Sequence, residues 1–234
     1  MKLFFSNHLT KNIQGQNTSH LLLNKVLQEY YGMPAGSVCR PENGKPYWEG
    51  TGRPRFSVSH TGTLWLCAVT DHEIGIDAEL PDRPVAQPVK LAERFFSEEE
   101  ADFIRCGQNM PRKENLPADT FILPFRWERI LPGKNTENWS AEERLLLIWT
   151  RKEALLKYYG KGLGSLTGTH SVMNEPAGLS IRSYRNKGIL LSICAEEAFQ
   201  KEAITEYIDL DNGKVHRNVR FYRRKNTGKR FADS

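Results

Sequence analysis

The segment Ile74-Gly75-Ile76-Asp77-Ala78-Glu79-Leu80 alternates apolar and acidic side chains along its length. Read as a β-strand, it turns Ile74, Ile76, Ala78 and Leu80 to one face and aims Asp77 and Glu79 at a common spot on the other. Converging carboxylates repel one another unless a cation lies between them, which points to a hard divalent metal. Alternation of this kind is also the ordinary signature of a half-buried strand with a solvated acidic face. The neighbouring segments must decide between the two.

Working outward, Trp149-Thr150-Arg151-Lys152-Glu153-Ala154-Leu155-Leu156-Lys157 carries a helical pattern. Ser140 followed by Glu143 forms a capping-box signature, so the helix is expected to begin there and to stop at Gly160. Trp149, Glu153 and Lys157 then share one face at i, i+4 and i+8. Upstream of the acidic strand, Phe56-Ser57-Val58-Ser59-His60-Thr61-Gly62 shows the same mixture of alternation and polar ends. Between strand and helix, Ser97 with Glu100 gives a second capping box and a short helix to about Cys106.

Composition sets wide limits. The chain has 234 residues, 39% hydrophobic and 26% charged, ordinary for a globular protein large enough for one large domain or two small ones. No apolar run approaches a membrane span, and Met1 to Phe5 is too short for a secretory signal core, so a cytoplasmic location without membrane contact is expected. Cys39, Cys67, Cys106 and Cys194 are scattered, and we expect them reduced. Residues 214 to 234 hold eight Lys or Arg against one Asp within a net charge of +5, which leaves the rest of the chain slightly acidic. The basic residues beyond Tyr222 read as a solvated terminus or as a docking element for an acidic partner. No recognition motif supports a nucleic-acid partner.

Leu21 to Tyr31 reads as a helix ending near Gly32, and Ile204 to Leu210 with Val215 to Tyr222 as a hairpin around Asn212-Gly213. Residues 107 to 139 contain repeated Pro and Gly and read as a long connection. Arg112, Lys113, Arg126, Arg129 and Lys134 stand there beside Phe121, Ile122, Leu123, Phe125 and Trp127. Hydrophobic anchors with a cationic rim would suit an acidic protein partner, and a packed surface excursion is the alternative.

Four blocks thus stand in order: F-x-x-S-H at Phe56 to His60, G-I-D-x-E at Gly75 to Glu79, F-S-x-x-E at Phe96 to Glu100, and W-x-x-K-E-A-x-x-K at Trp149 to Lys157. Through them the chain, from about Gly44 to about Ser192, resembles the 4′-phosphopantetheinyl transferases. It resembles in particular the larger pseudo-dimeric kind that activates peptide and polyketide synthetases such as surfactin synthetase. In that family the connection at 107–139 is usually much shorter.

The resemblance implies an α+β fold of two similarly folded halves related by a pseudo-twofold, with the active site in the cleft between them. Residues 1–72 would form the coenzyme-contacting half. Residues 73–234 would carry the metal site, the insertion and the C-terminal hairpin. The implied reaction moves the phosphopantetheine arm of coenzyme A to a serine of an apo acyl or peptidyl carrier protein, with Mg²⁺, and releases adenosine 3′,5′-bisphosphate; a monomer is expected. Asp77, Glu79 and Glu153 correspond to the metal-binding acids, and Lys157 to the phosphate-contacting lysine with a catalytic share. Ser59, His60 and Lys45 correspond to coenzyme contacts. Arg40 and Arg55 are further candidates by charge alone.

Either Glu100 or Glu153 would take the serine proton. The family's N-terminal basic residues have few counterparts here, since the first 30 residues offer only Lys2, Lys11 and Lys25. Two rival classes are a noncatalytic carrier-protein or coenzyme-binding module of the same fold and a different Mg²⁺-dependent phosphoryl transferase. The three acids weigh against the first. The absence of a G-x-x-x-x-G-K-[ST] loop weighs against the second.

Overall fold

A computed structural model describes residues 1–9, 18–34, 38–39, 41, 44–48, 54–81, 84–107, 126–162, 171–186, 188–197, 206–217 and 220–222. Its elements run β1 (Lys2–Ser6), α1 (Ser19–Tyr31), β2 (Val38–Cys39), β3 (Tyr47–Trp48), β4 (Arg55–Thr61), β5 (Leu64–Thr70), β6 (Ile74–Glu79), α2 (Pro88–Phe95), α3 (Glu98–Arg105), β7 (Arg126–Ile130), α4 (Ala141–Tyr158), β8 (Leu179–Asn186), β9 (Ile189–Glu196), β10 (Glu206–Asp209), β11 (Val215–Arg217) and β12 (Arg220–Tyr222). The fold is mixed α+β. No described helix is long and apolar enough to cross a membrane.

Two five-stranded sheets form the frame, in the orders β11-β10-β1-β5-β4 and β12-β7-β8-β9-β6. Side-chain alternation gives each sheet two apolar faces. In the first, Leu3, Phe5, Leu64, Leu66 and Ala68 enter the core shared with the second sheet. Phe4, Trp65, Cys67 and Val69, one position out of phase, pack against Leu23, Val26 and Leu27 of α1. In the second, Tyr184, Leu191 and Ile193 face the shared core, whereas Ile181, Leu190 and Cys194 pack under α3 and α4. The order of layers is therefore α1, sheet, sheet, α3 with α4. Strands covered on both faces are apolar throughout, as in β5.

The helix ends follow the expected chemistry. α1 stops at Gly32 in the left-handed region, and both α3 and α4 start on complete capping boxes, Ser97 with Glu100 and Ser140 with Glu143. Buried arginines fix α4. Arg144 donates to the carbonyls of Phe103 and Thr136, and Arg151 to those of Val172 and Ile181.

Two expectations are corrected here. The stretch 107–139 is not wholly an excursion. Arg126–Ile130 is a strand of the second sheet, antiparallel to β8 and parallel to β12. Trp127 is buried in the inter-sheet core, so it cannot be an exposed anchor for a partner protein. The remaining apolar residues proposed for that role, Phe121 to Phe125, and the cations Arg112 and Lys113 lie outside the described residues, as do Arg40, Lys11 and the basic tail beyond Tyr222.

The C-terminal hairpin also differs from expectation. The hairpin pairing is present, β10 antiparallel with β11, but β10 also pairs in parallel with β1, so it joins the first sheet and not the sheet that carries β6. The chain then crosses within a few residues to β12 on the second sheet.

Helix α4 crosses β6 at Gly75, and this contact sets the position of everything on the helix face. A Cβ built at Gly75 would lie 1.9 Å from the Ala154 carbonyl oxygen and 2.5 Å from the Tyr158 nitrogen, both backbone atoms that cannot move aside. Gly75→Ala should therefore lower stability by about 1–3 kcal/mol or more through overpacking, read as a fall in the urea midpoint. An unchanged midpoint would show that the close approach is not a constraint.

Candidate active site

β4 and β6 lie side by side at the near edges of the two sheets. Among the described residues no backbone ladder joins them. The hydroxyls of β4 stand in for one. The Ile76 N–H donates to Ser57 Oγ and the Ala78 N–H to Ser59 Oγ, each at 3.0 Å. Ser59 in turn donates to Asp77 Oδ1 at 2.7 Å, and Thr61 Oγ1 donates to Glu79 Oε2 at 2.8 Å. The period-two spacing of Ser57, Ser59 and Thr61 matches that of the edge N–H groups and acids opposite. Asp77 and Glu79 are thereby buried, not solvated.

From the other side, α4 brings Glu153 and Lys157. Lys157 Nζ donates to Asp77 Oδ1 at 2.6 Å and stands 3.6 Å from Glu153 Oε2. Burial first, and the Asp77 carboxylate second, push the Glu153 carboxyl up to about 7; Lys157 opposes them, and Glu79 adds to the rise. Trp149, one turn earlier, hydrogen-bonds the same carboxyl. Partial desolvation, followed by the Lys157 charge, holds the His60 imidazole below its ordinary value. One oxygen of Asp77, Oδ2, is buried without a hydrogen-bond partner among the described residues.

An open cavity of about 250 Å³ adjoins this cluster, with Lys45, Ser57, Val58, Glu153, Lys157 and Lys161 among its lining residues. Lys45 is mostly buried, which lowers its pKa; it donates to Glu73, which counters that shift, and to the Ile74 carbonyl at 2.6 Å. Arg55, a candidate phosphate contact, stands 3.8 Å from the same Glu73. Lys2 pairs with Glu206 at 3.1 Å and Lys25 donates to the Leu210 carbonyl at 3.3 Å, so the two described N-terminal lysines are engaged within the fold.

The structure brings together Ser59, Asp77, Glu153 and Lys157, with His60 and Glu79 close enough to bear on their charges. Glu100 is not among them. Its carboxylate is fully buried and committed elsewhere: it accepts from the Ser97 N–H at 2.8 Å and the Val172 N–H at 2.7 Å, and pairs with the equally buried Lys152 at 3.0 Å. The capping reading of the F-S-x-x-E block is the observed one, and Glu100 stands apart from the acids of β6 and α4 with both carboxylate oxygens engaged. Two features were passed over in the sequence. Ser57 and Thr61 were marked by their alternation with Ser59, and Lys161 by its place between Gly160 and Gly162.

Asp77, Glu79 and Glu153 are acids suited to a hard cation. Among the described residues, no three His, Cys, Asp or Glu side chains close into a complete cage. Mg²⁺ does not require one, since it is normally held by one or two carboxylates with water and substrate oxygens. The bare Oδ2 of Asp77 and the strained ionisation of Glu153 between like charges fit such an ion.

The model of the 4′-phosphopantetheinyl transferase superfamily matches residues 73–207, more than half of the chain. The chain belongs to this superfamily. It is 26% identical over 145 residues to 4′-phosphopantetheinyl transferase gsp of Aneurinibacillus migulanus, covering 61% of this chain and 47% of that one. It is 27% identical over 160 residues to a 4′-phosphopantetheinyl transferase of Bacillus subtilis, covering 68% and 57%. With 4′-phosphopantetheinyl transferase AcpT of Salmonella typhimurium it shares 24% over 187 residues, 80% of this chain and 81% of that one. The alignments to the first two relatives span about half of those proteins' length.

Two outcomes follow for this superfamily member. Because the folded Glu153 binds its proton more tightly than an unfolded glutamate of pKa 4.5, its contribution to stability is lost as pH rises from 4.5 through about 7. Urea midpoints without divalent cation should fall over that range, and Glu153→Gln should flatten the fall. Equal slopes in both proteins would refute the assignment. Breaking the buried Glu100–Lys152 pair on one side, by Glu100→Ala, should cost about 3–5 kcal/mol. Adding Lys152→Met should recover part of that loss, whereas a double variant no better than the single would deny the pair its structural role.

Proposed function

We propose that this protein transfers the 4′-phosphopantetheine arm of coenzyme A to a serine hydroxyl of an apo carrier protein. The observation that carries the reading is the meeting of Glu153 and Lys157 on α4 with Asp77 on β6, at a cavity lined by Lys45, Lys157 and Lys161. Superfamily membership and the names of the relatives support it. The two sheets with their outer helices are read as the pseudo-twofold halves and the space between β4 and α4 as the substrate cleft. A cytoplasmic monomer acting on acyl or peptidyl carriers fits this reading.

Each role rests on a particular group. Lys45, Lys157 and His60 bind the phosphates of coenzyme A, with lysine ammonium groups acting as compact point charges. Ser59 orients Asp77 through its hydroxyl. Asp77, Glu79 and Glu153 are the groups that would hold Mg²⁺, which supplies neutralisation of the charge that builds on the diphosphate. Glu153, one of these acids, accepts the proton of the carrier serine. The serine oxygen bonds to the phosphorus bearing the pantetheine arm. The bond from that phosphorus to the bridging oxygen breaks, and adenosine 3′,5′-bisphosphate leaves with the electron pair.

Incubation with coenzyme A, Mg²⁺ and an apo carrier protein, followed by mass spectrometry of the carrier, should show the added arm. Asp77→Ala should abolish the gain in mass while leaving the far-ultraviolet circular dichroism unchanged. His60→Ala should weaken coenzyme A binding about tenfold in calorimetry. An unmodified carrier with the wild-type protein, despite measurable coenzyme binding, would favour the noncatalytic binding module.

A further inference from the structure

Three hydroxyls lie in a row beneath α4. Thr150, Ser183 and Ser192 are all buried, in a layer otherwise made of Leu147, Ile148, Ile181, Leu190 and Cys194. Ser183 and Ser192 stand opposite one another on β8 and β9 with their hydroxyls 2.9 Å apart, and Ser192 meets the Thr150 hydroxyl of α4 at 2.9 Å. Arg151 heads the row by donating to Ser183 Oγ at 3.1 Å. Thr150 ends it by donating to the Leu147 carbonyl, one turn back in its own helix, at 3.0 Å.

The two ends fix the direction of every hydrogen bond between them. The Thr150 proton is spent on the Leu147 carbonyl, so Thr150 can only accept from Ser192. The Ser192 proton is thereby spent as well, and Ser192 accepts from Ser183, which accepts in turn from the Arg151 guanidinium. Every hydroxyl in the row both gives and takes. Apolar packing alone would hold α4 against the sheet, but it is non-directional. A fully satisfied buried polar row specifies one position of the helix.

That position matters because of what flanks the row. Ser192 is the cross-strand partner of Asp77, and both side chains face α4, Ser192 meeting Thr150 and Asp77 meeting Lys157. Thr150 precedes Glu153 by three residues within the helix, about 4.5 Å of rise. The Thr150–Ser192 bond therefore joins the near neighbours of two acids that lie on separate elements. Gly75 limits how closely α4 approaches β6, and the hydroxyl row settles where the helix sits over β9. We propose that Thr150, Ser192 and Ser183 are positioning residues, which set the offset of α4 over the sheet and so bring Glu153 to the distance from Asp77 at which the two share one divalent cation. The inference rests on the reading above that these acids hold such an ion.

The test is calorimetric titration of MgCl₂ into the wild-type protein and its variants at saturating coenzyme A. Thr150→Val and Ser192→Ala each remove one hydroxyl of the bond, from the helix and from the strand, and should each weaken Mg²⁺ binding about tenfold, the low end for groups that orient a metal's ligands from outside. The double variant should bind no more weakly than either single one. Thr150→Ser, which keeps the hydroxyl, should retain wild-type affinity. So should Leu23→Ala, which opens a hole in the core under α1, away from the row, and controls for general loss of stability. The two single variants are judged separately, so whichever folds decides. Wild-type affinity in a folded Thr150→Val or Ser192→Ala overturns this proposal and leaves the cation reading standing, as does an equal loss in Leu23→Ala. A wild type that binds no Mg²⁺ overturns both.

Discussion

The edge of β6 presents N–H groups that a second strand would ordinarily satisfy, and here they are satisfied by serine side chains. A buried donor left unpaired costs about 1–3 kcal/mol, so Ile76 and Ala78 require Ser57 and Ser59, or an equivalent pair of acceptors, in register. That requirement ties together two blocks of sequence that look independent. F-S-V-S-H and G-I-D-A-E are the two sides of one seam. Because a hydroxyl both accepts and donates, Ser59 takes the Ala78 N–H and passes its own hydrogen to Asp77. The seam thus holds the sheets together and aims the first acid with the same atom.

One lysine stands between the acids at this seam. Asp77, Glu79 and Glu153 are mostly buried, and like charges at close range in a low-dielectric setting are costly. Lys157 answers both Asp77 and Glu153, yet Glu153 still binds a proton at near-neutral pH. Burial, and after it the Asp77 charge, outweigh the one ammonium. The residual strain is confined to one helix face and one strand, and it is there that an added cation would have the greatest effect on stability.

Much of this could be read in the sequence because it is local. The capping boxes at Ser97 and Ser140, the glycine stops at Gly32 and Gly160, and the alternation of β6 each depend on a few neighbouring residues. What escaped depends on distant pairing. Residues 126–130 become a strand through β8 and β12, and Trp127 becomes core through the sheet opposite, neither of which a proline-rich neighbourhood announces. β1 lies mid-sheet between β5 and the remote β10, although Met1 to Phe5 alone shows only an apolar start. Glu100 was ambiguous for another reason. A capping glutamate and a catalytic one look identical until its other oxygen is seen to accept from Val172 and its charge to be met by Lys152.

The far edges of the two sheets are made by one late stretch of the chain. β10 and β11 extend the first sheet and β12 the second, all within residues 206–222, so one short stretch of chain closes the side opposite the seam. α4 is locked across β6 at Gly75 and tied by Arg151 to β8 and to the Val172 loop, so the helix is fixed on the second sheet. Groups from both sides of the seam share the site: Lys45, Ser59 and His60 precede β6, whereas Asp77, Glu153 and Lys157 belong to β6 and α4. Chemistry that depends on charged groups placed before the substrate arrives needs a frame that does not reorganise. The cavity opens where the seam, α4 and the Lys45 turn come together.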